Sequence, residues 1–559
     1  MVNTARDSAD DKASTYRTTV YRLTGITDTE ACGLRTGLNH KYLRKNGFVP
    51  IETEVAGAPA LLIHGHVPQS SADWCPIITA LTGEAVAVAY SSAGGALLVR
   101  LDDQVYALTY GTLGRFFIAA DRIDPGFGIQ FALRAIEPDR IQRVTRRVLA
   151  STGRVDRNLV PGGQPIRRYD IEGWGEIVRQ LSGVLANERL TVTRGSARRV
   201  SFAGADSLQI PVSTDPVGLL ADLREIGRTC TGESPSPELE FIAQIRPLPS
   251  GERTAELDKR LDEMLGIEDH PDVGLAVPTS LVELEPLADS YLVRMPYRKW
   301  LHLDLDLEAA IGRVRGKGDG RRLNTLKHGS IELCADRSGD EPLAPPAKAH
   351  LWITAEVPQG AARMIYQEGQ WYQIGEQHLA LLNAEIEVIL AQPATLALPP
   401  WTRDLEDEDA YNKHVAETHP GFVLLDKKTL HTKQHNRGPG IEACDLLGPN
   451  DELIHVKRAA KSAPLSHLFT QGEVSADALL HEPDAREKLA GRVHADHPDH
   501  HIDETFRPRK VIYAIALASG RQLSPKTLFT FSQVALYRAA RRLRGANVEV
   551  EVISIPVVS

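Results

Sequence analysis

The strongest constraint on the fold is a short turn sequence between two strand-like runs. The tetrapeptide GPND at 448–451 consists of residues that favour tight turns. The run before it, 441–447, has the sequence IEACDLL, and the run after it, 452–458, has the sequence ELIHVKR. Because turn residues between two such runs indicate antiparallel pairing, this segment predicts a β-hairpin.

The segments around this hairpin predict a regular order of elements over the last third of the chain. Helices are predicted at 405–418, 465–471, 475–481 and 524–544, and strands at 421–430, 441–447, 452–458, 509–517 and 548–555. The resulting order is α-β-β-β-α-β, followed by α-β. This order indicates an α/β module with a mixed sheet.

The hairpin carries polar residues that suit phosphodiester chemistry. Side chains alternate between the two faces of a strand, so His455 and Lys457 share one face, and Asp445 lies across the hairpin from them. Glu442 lies on the opposite face from Asp445 unless a bulge redirects it. A carboxylate can hold Mg²⁺, and a lysine beside it can stabilise developing negative charge. The cluster is therefore a candidate catalytic site.

The run IEACDLLGPNDELIHVKR, followed by SAPLSHLFTQG, resembles the PD-(D/E)xK nuclease superfamily. In that superfamily an acidic residue on one strand is followed, after a hairpin, by an acidic-x-Lys tripeptide on the next. Asp445 matches the first acid and Lys457 matches the lysine. The sequence departs from the pattern at His455, which stands where a Glu or Asp is usual. Glu442 could supply the missing carboxylate.

The resemblance implies a restriction-endonuclease-like αβββαβ core that uses Mg²⁺ or Mn²⁺. Superfamily members often add a Glu from the first helix and a Gln after the lysine strand, for which Glu408 and Gln471 are the candidates. The expected catalytic residues are Asp445, His455, Lys457, Glu442 and Gln471. The expected metal ligands are Asp445, Glu442, His455 and Glu408.

Charge favours nucleic acid as the partner of this region alone. The formal net charge of the whole chain is −9, which argues against one continuous basic surface. Residues 421–559 instead contain nineteen Lys and Arg against sixteen Asp and Glu. The expected nucleic-acid contacts are Arg458 and Lys461 beside the site, and Arg538, Arg541 and Arg542 at helical spacing on one face. DNA is the preferred substrate, with RNA kept open.

The remaining length implies further domains. A chain of 559 residues exceeds one ordinary hydrophobic core. The sequence predicts a disordered tail at 1–14, α+β domains at 15–180 and 181–395, and the nuclease-type domain at 401–559. A Pro-rich linker precedes that last domain. Residues 137–149 predict a helix, and the glycine-rich basic segment 313–327 predicts a mobile loop.

Cysteine usage and hydropathy limit the compartment. The five cysteines are scattered and form no CxxC pair, which argues against a disulfide framework. No secretory leader and no apolar run of membrane-spanning length is found, so a cytoplasmic protein without a membrane partner is expected. Composition leaves a homo-oligomer open.

The whole chain also resembles a sporadically distributed bacterial family of unknown function, often encountered near defence genes. The runs YALTYGTLG at 106–114, DPGFGIQFAL at 124–133 and YQEGQWYQIG at 366–375 are similar to its markers. By association, that resemblance implies a role in defence against phage or plasmids.

Two alternatives to a metal-dependent nuclease remain open at this point. One is a catalytically inactive nuclease-fold protein that binds nucleic acid as a sensor or regulator. The other is a protein-interaction scaffold without nucleic-acid binding. Loss of cleavage with retained binding in a Lys457→Ala variant would separate the enzyme from the first alternative.

Overall fold

The computed structural model describes residues 14–27, 31–72, 74–148, 155–159, 176–185, 189–194, 200–232 and 239–558, the last range without 269, 271, 279, 282–283, 285–286, 297, 304, 306, 361, 426–428, 431–440, 460–464, 499, 519 and 529. The chain divides into two compact units. The N-terminal unit comprises Met1–Arg147 and Asp156–Ala255, and the C-terminal unit comprises Val148–Val155 and Glu256–Ser559. The predicted tail at 1–14 lies almost wholly outside the described residues.

The N-terminal unit is built on one large sheet with helices packed against it. Its elements are β1 (Thr15–Leu23), α1 (His40–Asn46), β2 (Ile51–Val55), β3 (Ala58–Gln69), α2 (Cys75–Thr82), β4 (Tyr90–Leu101), β5 (Gln104–Gly111), α3 (Phe127–Ala135), β6 (Ile136–Val148), β7 (Val155–Leu159), β8 (Glu176–Leu185), β9 (Ser201–Gly204), β10 (Leu208–Ser213), α4 (Pro216–Thr231), α5 (Glu240–Ala243) and β11 (Ile245–Pro247). Ten of these strands pair in the order β2-β3-β4-β5-β1-β10-β9-β8-β6-β7. Apolar residues of α3 and α4 pack with the sheet in one core.

The helix predicted at 137–149 is wrong, because this segment is strand β6. The sequence predicts a helix there that is rich in arginine, with Arg140, Arg143, Arg146 and Arg147. Buried Val144 and Arg146 flank the less buried Thr145 as in a strand, whereas Gln142 and Arg143 are both exposed, so burial alternates in only part of the segment. The β-branched residues of the segment fit that conformation.

The C-terminal unit contains several smaller sheets. Its elements are α6 (Glu252–Met264), β12 (Val273–Leu275), β13 (Ser290–Met295), β14 (Arg298–His302), α7 (Leu307–Arg315), α8 (Arg322–His328), β15 (Ser330–Cys334), β16 (Ala347–Lys348), β17 (Ile353–Gln359), β18 (Ala362–Gln367), β19 (Gln370–Ile374), α9 (Glu376–Leu390), α10 (Glu408–Thr418), β20 (Val423–Leu424), β21 (Thr429–Leu430), β22 (Ile441–Glu442), β23 (Leu446–Leu447), β24 (Leu453–Ala459), α11 (Leu465–His481), α12 (Pro483–Asp496), β25 (Lys510–Leu517), α13 (Thr530–Gly545) and β26 (Glu549–Ser554). The whole chain is therefore a mixed α+β protein, as predicted.

The basic segment 313–327 is not the predicted loop, because it includes the end of α7 and most of α8. The turn between these helices is fixed by Asp262 of α6, whose carboxylate accepts the backbone N–H of Gly320 at 2.7 Å and that of Leu323 at 2.7 Å. Arg322 lies against the same carboxylate at 3.4 Å. Contacts to a distant helix therefore order a segment that looks like a loop in sequence.

The last sheet has the order β20-β23-β24-β25-β26. Strand β23 is antiparallel to β20 and to β24, whereas β25 is parallel to both β24 and β26. Helix α10 packs on one face, where Tyr411 and Val415 share a core with Ile454, Val456 and apolar residues of β25 and β26. Helix α11 packs on the opposite face. The sheet is therefore mixed, with helices on both sides.

Among the helices in the described ranges, none combines the length and apolar composition that crossing a membrane requires.

Candidate active site

The candidate site lies where strand β23 ends its pairing with β24. The paired residues are Leu447 with Leu453 and Leu446 with Ile454, and the N–H of Asp445 then donates to the carbonyl of Ile454 at 3.0 Å. Beyond this point the chain turns away, since β22 pairs with β21 in a separate two-stranded sheet. The edge of β24 beyond Ile454 is therefore open to side-chain acceptors.

Two carboxylates bind this open edge. Oδ2 of Asp445 accepts the backbone N–H of Val456 at 2.6 Å, and Oε1 of Glu408 accepts the backbone N–H of Arg458 at 3.1 Å. Backbone nitrogens two residues apart on a strand are about 7 Å apart. The two acidic groups therefore lie side by side along one strand edge, although 37 positions in the sequence separate them.

Lys457 lies in β24 between Val456 and Arg458, the two residues whose backbone N–H groups bind these carboxylates. Its Nζ is 2.9 Å from Oε2 of Glu408, and each of the two side chains is about one-third exposed. Glu408 is the first residue of α10, and the Asp407 side chain caps that helix by accepting the N–H of Ala410 at 2.9 Å. The acidic first turn suits a helix N-terminus, where the backbone dipole favours negative charge.

Arg458 is fixed in front of α10. Its guanidinium lies 5.4 Å from the ring centre of the buried Trp401 and donates to the carbonyl of Glu406 at 2.9 Å. It therefore connects the end of β24 to the segment that leads into α10.

His455 lies on the face of the sheet that α11 covers. Strand alternation gives Lys457 the same face, and the Lys457 side chain reaches Glu408 at the open edge of β24. Its side chain is 2% exposed, and its Nε2 is 3.2 Å from Oγ of Ser475 on α11. Burial lowers the pKa of His455 to about 4, so the imidazole is neutral near pH 7. The residue that replaces the expected acid is thus part of the packing between the sheet and α11, and its ring centre lies 6.2 Å from that of Tyr513 on the neighbouring strand β25.

Two other predicted residues of the site lie on other elements. Glu442 is on β22, in register with Thr429 in the two-stranded sheet. Gln471 is a half-buried residue of α11, on the face of the sheet opposite α10. Cys444 is completely buried next to Asp445, and burial raises the pKa of its thiol, so it is a neutral core residue.

The predicted basic surface is distributed over several environments. Arg538 of α13 is only 8% exposed. Arg542 forms an ion pair with Glu473 of α11, and Arg541 is exposed. Lys461 lies outside the described residues.

The structure therefore brings together Asp445, Glu408 and Lys457 out of the predicted set. The sequence predicts only a supporting role for Glu408, because no nearby residue indicates that the first residue of α10 contacts the end of β24, 50 positions away. The acidic first turn of α10 was the available signal.

The chain matches the model of a protein family over residues 18–556, and that model is described as "Family of unknown function (DUF6119)". No curated protein matches the chain, and no solved structure matches it.

Proposed function

The chain belongs to the family of unknown function DUF6119, and we propose from its candidate site that it is a divalent-metal-dependent nuclease. The activity is assigned to the C-terminal unit, at the strand edge formed by β24. The N-terminal unit is assigned to sensing or binding.

The topology of the last sheet supports this proposal. Counting only the strands of this sheet, α10 is followed by the antiparallel strands β20, β23 and β24, the helices α11 and α12, and the parallel strand β25, while β21 and β22 lie between β20 and β23 in the chain and form a sheet of their own. With those two strands set aside, the order is compatible with the αβββαβ core that the resemblance to PD-(D/E)xK nucleases implies. Fold order alone does not establish an activity, so the argument rests on the side chains.

The observation that carries the proposal is the placement of Asp445, Glu408 and Lys457 at one strand edge. Two acidic groups accept the backbone N–H groups of Val456 and Arg458, and the amine of Lys457 lies at one of them. Groups held by a sheet and a capped helix are better positioned than groups on a loop, which catalysis requires.

The two carboxylates suit Mg²⁺ or Mn²⁺, which need few protein ligands, better than a metal ion whose ligands all come from the protein. Over the part of the chain that the structure describes, no three His, Cys, Asp or Glu side chains form a group that could hold a metal ion. Mg²⁺ commonly takes one or two protein carboxylates and completes its shell with water and substrate phosphate oxygens. Asp445 and Glu408 would hold the ion. A bound ion of this kind polarises the phosphate and lowers the pKa of a water ligand.

The protein residues have separate roles in this proposal. Lys457 supplies a positive charge that can stabilise the negative charge developing on the phosphate. Lys457 pairs with Glu408 in this structure. A metal ion held by Glu408 would therefore compete with Lys457 for the same carboxylate. Arg458 and the exposed Arg541 are proposed to contact the phosphate backbone.

DNA is the proposed substrate, and RNA is the alternative that the assay must include. We infer a role in defence against phage or plasmids only from the resemblance to a family encountered near defence genes. That role is an association of genes and adds no chemistry.

A second candidate is a nuclease-fold protein that binds nucleic acid without cutting it. His455 favours this candidate, because a buried neutral imidazole stands where the resemblance expects an acid. The two functions predict the same binding but opposite results in a cleavage assay.

The test is cleavage of plasmid DNA, linear duplex DNA and single-stranded RNA by the full chain with Mg²⁺, Mn²⁺ or EDTA. Asp445→Asn is compared with Asp477→Asn, which removes an exposed carboxylate from α11. Metal-dependent cutting that is lost only in Asp445→Asn supports the nuclease. Salt-sensitive binding without cutting supports the second candidate, and neither binding nor cutting overturns both.

A further inference from the structure

The N-terminal unit contains a cavity lined mainly by arginine. Its volume is about 470 Å³, and its lining residues are Arg189, Arg194, Ala221, Arg224, Glu225 and Arg228. Four guanidinium groups therefore surround one space in a chain whose formal net charge is −9. None of the residues assigned to the proposed nuclease site belongs to this cavity.

One wall of the cavity is a face of helix α4. Arg224 and Arg228 are exposed and lie one turn apart on this helix. The Glu225 side chain is largely buried beside them, and its carboxylate accepts from Arg228 at 2.8 Å. The helix thus presents two guanidinium groups with one carboxylate that orients one of them.

The opposite wall is a turn that a buried carboxylate fastens to α4. Asp222 is 1% exposed, and its two oxygens accept the backbone N–H of Thr191 at 2.7 Å and that of Ser213 at 2.8 Å. Leu190 is buried in the core of the unit. The turn that carries Arg189 and Arg194 is therefore held rigidly against the helix.

Within the turn the two arginines are also linked, since the guanidinium of Arg194 donates to the carbonyl of Arg189 at 3.1 Å. Both residues are exposed. All four arginines of the cavity thus start from backbone positions that hydrogen bonds and packing fix.

The four arginines give the lining a positive charge that favours an anionic ligand. Besides Glu225, a second carboxylate lies near the cavity, that of Asp102 at 3.4 Å from Arg224, and its side chain is 69% exposed. Among the residues that the structure describes, Glu225 and Asp102 place carboxylates within 3.4 Å of arginines of this lining, and guanidinium groups at close range repel one another unless anions lie between them. Arginine binds phosphate through two parallel hydrogen bonds, which suits this arrangement.

We propose that this cavity binds a ligand with two or more adjacent phosphate groups. The described lining contains no aromatic side chain on which a base could stack, so the phosphates are what it recognises. A free polyphosphate chain and a nucleic-acid backbone share this chemistry. The volume lies in the range of small-ligand sites, which is about 300–1,000 Å³. The proposal does not depend on the nuclease activity.

The test is isothermal titration calorimetry of the full chain with tripolyphosphate and, separately, with orthophosphate. Tripolyphosphate is expected to bind at least about tenfold more tightly than orthophosphate, because several charged hydrogen bonds form only with adjacent phosphates. Arg194→Gln and the double variant Arg224→Gln/Arg228→Gln are expected to weaken tripolyphosphate binding about tenfold or more. Arg260→Gln removes an exposed, ion-paired arginine of α6 and should leave binding unchanged.

A misfolded variant is recognised by a lower melting temperature in the absence of ligand. If the double variant of α4 misfolds, the affinity of Arg194→Gln for tripolyphosphate decides whether the arginines bind it, because this substitution leaves α4 unchanged. Equal affinity in all variants, or no binding of tripolyphosphate to the wild type, overturns the proposal. A short single-stranded DNA that displaces tripolyphosphate identifies a nucleic-acid backbone as the source of the phosphates. Failure of that displacement identifies a free polyphosphate.

Discussion

Nζ of Lys457 lies 2.9 Å from Oε2 of Glu408, and the other oxygen of that carboxylate accepts the backbone N–H of Arg458 at 3.1 Å. The first residue of α10 is therefore bound twice to the end of β24. Any ligand that uses Glu408 must compete with Lys457. This exchange is the feature on which the proposed chemistry depends.

Glu408→Gln should separate stability from metal binding. An amide oxygen can still accept from Arg458, and a half-exposed ion pair contributes only about 0–1 kcal/mol, so the melting temperature should change little. Cleavage should fall at least about tenfold, because a charged ligand of the ion is lost. The measurement is cleavage rate against Mg²⁺ concentration, with Asp409→Asn on the same helix as the control. Wild-type cleavage by Glu408→Gln would remove this residue from the site.

Two substitutions of Asp445 should differ in their effect on stability. Asp445→Ala leaves the N–H of Val456 without its side-chain acceptor and should lower the free energy of unfolding by ~1–3 kcal/mol. Asp445→Asn keeps an acceptor and should cost less than about 1 kcal/mol, although both variants lose the charge. Urea unfolding checks the difference. Equal losses would show that the hydrogen bond at 2.6 Å contributes little.

The hairpin shows what sequence could and could not predict. The turn at 448–451 is present, with Gly448 donating to the carbonyl of Glu452 at 2.9 Å and Asp451 at a φ of 65°. This part is local turn chemistry, so a short sequence determines it. The strand predicted at 441–447 is instead divided into β22 and β23. Strand β22 pairs with β21, and the residue before β23, Asp445, accepts the backbone N–H of Val456 through its side chain. Neither contact can be read from the run 441–447 itself.

Element order was easier to predict than element boundaries. The predicted helices at 465–471 and 475–481 are one helix, α11, and α12 was not predicted. The strand at 509–517 matches β25 closely, because eight mostly apolar residues between polar segments indicate a buried strand. Strand alternation predicts the face on which His455 lies, but the local sequence does not predict that α11 covers this face.

His455→Glu should not restore a nuclease motif. The position is 2% exposed and lies against Ser475 and Tyr513, so a carboxylate there would be buried without a partner cation. The free energy of unfolding should fall by about 3–5 kcal/mol. Urea unfolding near pH 7 measures this, with His481→Glu at an exposed position as the control. A stable His455→Glu variant that cleaves faster than wild type would show that a carboxylate at position 455 can act as a metal ligand.

The C-terminal unit should lose stability between pH 6.5 and 4. Burial lowers the pKa values of His455, His378 and His350 to about 4. As the pH falls below 6.5, the unfolded chain takes up protons that the folded chain does not, so the stabilisation present above pH 6.5 is lost progressively towards pH 4.

The size of this effect is testable at the fully buried position. Between pH 6.5 and 5, His455 alone should account for about 1.5 kcal/mol, because the unfolded imidazole is half protonated at pH 6.5 and the full slope of about 1.36 kcal/mol for each pH unit is reached only below it. His455→Asn should therefore flatten the pH dependence of urea unfolding, and His481→Asn should alter it less. An unchanged slope in His455→Asn would contradict a neutral buried imidazole.

The most direct test of the central claim is plasmid cleavage by Lys457→Met in Mg²⁺, with DNA binding measured on the same preparation. Lys413→Met removes an exposed, ion-paired lysine from α10 and is the matched control. Wild type and Lys413→Met are expected to cut the plasmid, whereas Lys457→Met is expected to bind DNA without cutting it. Cleavage by Lys457→Met at the wild-type rate, or no metal-dependent cleavage by the wild type, would contradict that claim.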